Sequence, residues 1–156
     1  MQQAKANYLK SMKIVHRALL AGQCIMLAIV LYLVMQQSMP AAKPALDKTL
    51  QVIALLVSFA VVFGATAVFK KRLTVINNAV GNLAEKSNHY RKANLIQWAM
   101  VEVAVLFSIS CFLLTGNYAF AALAVALMVF FALLGPSRLK TMLQLQLNEQ
   151  EVDGLQ

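Results

Sequence analysis

Four stretches of this chain are apolar through every turn of a helix. They are Ala18–Met35 (ALLAGQCIMLAIVLYLVM), Leu50–Phe69 (LQVIALLVSFAVVFGATAVF), Leu95–Leu114 (LIQWAMVEVAVLFSISCFLL) and Tyr118–Leu134 (YAFAALAVALMVFFALL). Runs of about 17–25 apolar residues match the thickness of a bilayer's hydrocarbon core. A helix on the surface of a soluble protein would carry a polar face at 3.6-residue spacing, and these carry none. Four such helices buried in a soluble core would need polar segments to cover them, and too little polar chain is left. The pattern therefore predicts an all-α membrane protein, an antiparallel four-transmembrane-helix bundle formed as a single domain over residues 1–156. The spans are expected at about 14–36, 48–69, 94–115 and 117–134. The first is longer than the 7–15-residue apolar core of a signal peptide and lacks a clean small-residue cleavage site, so it is read as a retained span.

The segments between the runs add detail. Tyr8, Met12, Val15 and Leu19 lie at steps of four, three and four, one face of a helix that leads into the first span. The connection QQSMPAAKPALDK holds Pro40 and Pro44 and reads as a turn, with Asp47 a candidate N-cap for the second helix. In KKRLTVINNAVGNLAEK the apolar residues Leu73, Ile76, Val80 and Leu83 recur every three or four positions. The second helix is thus expected to run on to about Lys86, turn at SNHY, and return through RKANLIQW as the third helix. Residues 70–93 then form a helical hairpin outside the membrane. It is either an amphipathic extension packed on the N-terminal arm or a docking surface for a partner. Gly135 and Pro136 stop the fourth helix. In the tail, residues 135–156, Leu139, Met142 and Leu143 fit a short surface helix, whereas LQLQL alternates as a strand would; the helix is preferred because no other strand is available to pair with it.

Charge sets the orientation. Of the 14 Lys and Arg residues, only Lys43 and Lys48 fall on the side opposite the N-terminal arm, the middle segment and the tail. The positive-inside rule then puts both termini and the hairpin in the cytoplasm. The formal charge of +8 suits a partner such as the anionic inner leaflet and requires no nucleic acid. Lys70, Lys71, Arg72, Arg91 and Lys92 would face lipid headgroups or a protein partner, and Trp98 would anchor the third span at the interface. Cys24 falls toward the cytoplasmic end of the first span and Cys111 toward the external end of the third, so no disulfide between them is expected.

The main chemical signal is Glu102, the one acid inside an apolar run. An acid at the centre of a membrane helix costs about 2.5–3.5 kcal/mol on insertion scales. Glu102 is four residues beyond Trp98, about 6 Å along the axis, so it belongs to the cytoplasmic leaflet. Gln23, about 9 Å inside Arg17, is its expected partner by depth, and His16, seven residues earlier on the same face, could extend the link through water. Two roles stay open for this set: a hydrogen-bonded clamp between helices, or an ion- or proton-binding site. Ala18, Ala21 and Gly22, Ser58, Gly64 and Thr66, and Ser108 and Ser110 are small enough to mark helix contacts. There is no Cys/His metal spacing, no Gly-rich phosphate loop and no credible nucleophile triad, so no catalytic residue, metal or cofactor is expected.

The string WAMVEVAVLFSISCFLLTGN followed by GPSRLKTMLQLQLNEQE resembles small uncharacterised four-helix inner-membrane proteins of Bacteroidota-type bacteria. That resemblance spans the chain from the first helix to the tail and implies a fold and a location in the bacterial inner membrane. Locally, AMVEVAVLFSISCFLL is similar to the ion-binding helix of rotary ATPase proteolipid subunits, where the matching acid, here Glu102, binds a proton or sodium ion. The chain departs from that family in having only 6 glycines, a basic arm and a charged tail. The expected function is a non-enzymatic membrane subunit that scaffolds, assembles or regulates a larger complex, as a homo-oligomer or beside other chains. The alternative is a small homo-oligomeric proton or cation conductor built on Glu102.

Overall fold

The computed structural model of the protein describes residues 8–36, 44–79 and 83–146. Five helices follow one another: α1 (Tyr8–Met35), α2 (Pro44–Asn78), α3 (Leu83–Thr115), α4 (Tyr118–Leu133) and α5 (Arg138–Leu145). Among the described residues there is no strand. α1, α2 and α3 are long and apolar enough to cross a membrane, and α4 with α5 adds a fourth if that pair, bent by 71°, is counted as one span. With its 16 residues α4 alone is about 24 Å long, short of a hydrocarbon core of about 30 Å. The 35 residues of α2 and 33 of α3 exceed what such a core needs, so both continue beyond it.

The helices do not share the bundle equally. α3 packs against α2, α4 and α1, whereas α1 and α2 have little contact with each other. Two apolar clusters fill the interior. At the α3–α4 turn, Val30, Ala54, Val105, Ile109, Phe112, Phe120 and Leu127 meet. At the other end, which carries most of the basic residues, Met12, Phe69, Ile76, Tyr90, Trp98, Phe131 and Leu145 meet. Large apolar side chains also cover the outside of α1 and α2, among them Ile25, Ile29, Leu56, Phe59 and Phe63. Soluble monomers rarely expose apolar area on that scale; a membrane protein faces lipid with it.

Local sequence explains most of the boundaries. Pro44 opens α2 because its fixed φ suits the first helical position and its missing N–H is not needed there. Asp47 therefore lies inside the first turn and is not the N-cap. Gly116, at φ +65°, ends α3 in the left-handed region that glycine reaches most easily. Asn117 caps α4 by accepting from Ala119 N at 2.9 Å, and Ser137 caps α5 by accepting from Lys140 N at 3.2 Å.

The hairpin differs from expectation. Its break falls between Asn78 and Leu83, and SNHY (residues 87–90) lies within α3. Asn77 and Asn78, where α2 ends, are weak helix formers, whereas Ser87 and Tyr90 bury their side chains in a continuous helix. Ile76 and Tyr90 share a cluster with Met12 of α1 and Leu145 of α5, so the extension is packed against the arm and the tail. The tail is helical over α5, but Leu139 and Leu143 point outward and Thr141 and Leu145 inward. The connection at 37–43, Val80 and the acidic end of the tail lie outside the described residues.

Candidate functional site

At the basic end, three side chains converge on the carbonyls that end α4. The last turn of a helix leaves its carbonyl oxygens without intrahelical donors. His16 of α1 meets Phe131 O through Nε2 at 2.9 Å, Trp98 of α3 donates through Nε1 to Leu134 O at 3.4 Å, and Lys140 of α5 donates through Nζ to Leu133 O at 3.2 Å. A carbonyl oxygen only accepts, so the proton in the first of these bonds is on Nε2 of His16. The imidazole stacks on Phe131 at 4.6 Å and 6° and meets Trp98 edge-on at 4.9 Å. Gly135 leaves room for it, since a Cβ there would come within 3.3 Å of His16 Cε1. Outside the ring lies a cleft of about 320 Å³, bordered by Lys13, Arg17 and Pro136. His16 is thus held as a helix-end clamp by partners on α3 and α4.

Trp98 does not present its ring to the exterior as an interface anchor would. It is fully buried, because its indole N–H finds a carbonyl inside the protein. Gln23 is also buried, on the same face of α1 as Met12, His16 and Val30, and neither its Nε2 nor its Oε1 has a hydrogen-bond partner. The expected Gln23–Glu102 bond is not formed. In an apolar interior an unmet polar group costs about 1–3 kcal/mol. Ser58 Oγ on α2 is likewise buried and unpartnered, while Ser108 donates to Ala104 O at 3.0 Å and meets its need within α3.

Glu102 has the opposite surroundings. α3 buries a seam of Trp98, Val101, Val105, Ser108 and Phe112 and exposes Ala99, Val103, Ser110 and Leu114. Glu102 sits at the margin of that outer stripe, partly exposed beside Val103, and makes no hydrogen bond or ion pair with any described residue. The small residues of α1 are outward too. Ala18, Ala21 and Gly22 are exposed, and a Cβ at Gly22 would meet nothing within 4 Å. They mark no helix contact within the chain, whereas Gly64 does: a Cβ there would lie 3.8 Å from Met100 Cε.

All five basic residues singled out in the sequence, Lys70, Lys71, Arg72, Arg91 and Lys92, are exposed. Lys71, Arg72 and Lys92 gather with His89 around one cleft between α2 and α3. Cys24 and Cys111 are both free. Among the described residues no three His, Cys, Asp or Glu side chains gather as metal ligands would. Sequence reasoning missed Lys140, whose role depends on the bend after α4. It also missed Tyr90, which donates to Gln144 Oε1 at 2.6 Å; with Asn77 donating to Gln144 O at 3.0 Å, this ties α5 to the extension. Comparison of the chain with family models, curated proteins and solved structures finds no match.

Proposed function

We propose that the protein is a non-enzymatic multi-pass subunit of a larger membrane assembly, docking through the outer stripe of α3 around Glu102. In this reading it resides in the bacterial inner membrane, with both termini and the α2–α3 extension in the cytoplasm, as the distribution of its basic residues favours. The observation that carries the proposal is the position of Glu102: an acid in an apolar span, partly exposed, with no partner among the described residues. Acids in membrane helices nearly always face protein or water, because lipid offers a carboxyl group nothing to bond. A second polypeptide against Ala99, Val103 and Leu106 would supply what this chain does not. Exposed Ala18, Ala21 and Gly22 give α1 a second surface on which another helix could approach closely.

The test is purification in a mild detergent, comparing the wild type with Glu102→Gln. The wild type should emerge with further subunits, and the variant should lose at least half of them while unfolding at the same detergent concentration. A wild type that is monomeric and free of partners would contradict the reading.

A second reading, a homo-oligomeric proton or cation conductor, draws on the same uncommitted carboxyl group, which is reachable from outside the chain. It predicts carbodiimide labelling confined to Glu102, lost as pH rises and blocked by a cation, together with loss of flux in Glu102→Gln.

A further inference from the structure

We propose that the cleft between α2 and the start of α3 binds the phosphate headgroup of an anionic phospholipid. The cleft measures about 450 Å³ and is lined by Lys71, Arg72, His89 and Lys92 on its polar side and by Val68, Val75 and Ile76 on its apolar side. Helical spacing builds it. Val68, Lys71, Arg72 and Val75 repeat at three- and four-residue steps on one face of α2, and His89 and Lys92 lie one turn apart on α3.

The charge is one-sided. No acid lines the cleft, none of the three cations makes an ion pair with a described residue, and the nearest acid along α3 is Glu85, one turn before His89. Like charges held together in this way repel unless an anion neutralises them. Arg72 offers a planar fork suited to phosphate oxygens, and Lys71 and Lys92 offer mobile ammonium donors. His89 adds an N–H within the same wall.

Position selects lipid as the source of the phosphate. The apolar run of α2 ends at Phe69 and its first cations follow at once; on α3, Lys92 comes just before the apolar run that begins at Leu95. Each wall of the cleft thus changes from apolar to basic next to the end of its apolar run, the region where a bilayer's headgroups would lie. Val68, one turn on the membrane side of Lys71 and Arg72, is exposed at the edge of the cleft, so an acyl chain could follow α2 there while the phosphate stays among the cations. Basic pockets between membrane helices on the cytoplasmic side are a recurrent form of headgroup recognition. This inference does not depend on the role of Glu102.

The experiment is native mass spectrometry and lipid titration of the full chain in nanodiscs, comparing phosphatidylglycerol with phosphatidylcholine. The pocket variant is Arg72→Gln/Lys92→Gln. The control is Lys70→Gln/Arg91→Gln, which removes the same charge from the same hairpin without touching the cleft lining. All four side chains are exposed, and circular dichroism verifies that both variants fold. The expected result is preferential retention of phosphatidylglycerol, weakened on the order of tenfold or more in the pocket variant and within about twofold of wild type in the control. Equal weakening in both pairs would mean diffuse attraction to a basic surface and would overturn the proposal. So would no preference for the anionic lipid, or displacement of the lipid by millimolar inorganic phosphate, which would make the ligand a soluble phosphate.

Discussion

α1 and α3 are both long apolar helices, yet they hold their polar residues in opposite ways. Half of α3's most apolar window, 50%, is buried inside the protein, against 11% of α1's. The peripheral helix nevertheless turns Gln23 inward, and the central helix leaves Glu102 at its open margin. A neutral amide can be buried without a partner at moderate cost, whereas an ionisable acid is far more demanding. The difference teaches that burial within this chain does not follow the demands of its polar groups: an amide without a partner is inside and an acid without a partner is at the margin. In the proposed reading, the acid answers to a chain that covers this margin.

The sharpest way to break this contrast is to remove the centre of α3. Trp98→Ala should cost about 3–5 kcal/mol, since it empties a fully buried site and frees Leu134 O. Unfolding in mixed detergent micelles would measure it, and a loss below about 1 kcal/mol would mean that α3 is not the organising helix. His16→Ala should cost less, about 1–3 kcal/mol, through the bond to Phe131 O and the stacking on its ring. His16→Phe should recover part of that loss by keeping the stack. Gln23→Leu tests the inward amide and should be neutral or stabilising by about 1 kcal/mol, because both amide atoms lack partners. Destabilisation would instead mean that Gln23 serves a polar group beyond the described residues. Glu102→Gln should change the chain's own unfolding by less than about 0.5 kcal/mol.

Much of the fold was legible in the residues. Apolar run length marked, in the right order, three helices that are long and apolar enough to cross a membrane. The fourth run marked α4, but its helix is too short to qualify by itself. Helical spacing over residues 73–83 misled at the hairpin, because periodicity carries no record of weak helix formers such as Asn77 and Asn78, where α2 ends. The site was less legible. Depth along the axis paired Gln23 with Glu102, but depth says nothing about which face of each helix meets the other. That depends on how α1 leans on α3 and α4, a tertiary arrangement with no local signature. Trp98 illustrates the same limit: a tryptophan near the end of a span suits the interface by composition, and only the bend after α4 brings a carbonyl to its indole.

The central claim is that the outer stripe of α3 is covered by another protein chain. Its most direct test is a photo-crosslinking amino acid placed at Val103 in native membranes, with Phe63 on the outer face of α2 as reference; the two are 62% and 68% exposed, so accessibility does not separate them. The account predicts a discrete protein adduct from position 103, lost in the Glu102→Gln background, and lipid adducts alone from position 63. Lipid adducts alone from both positions would contradict it.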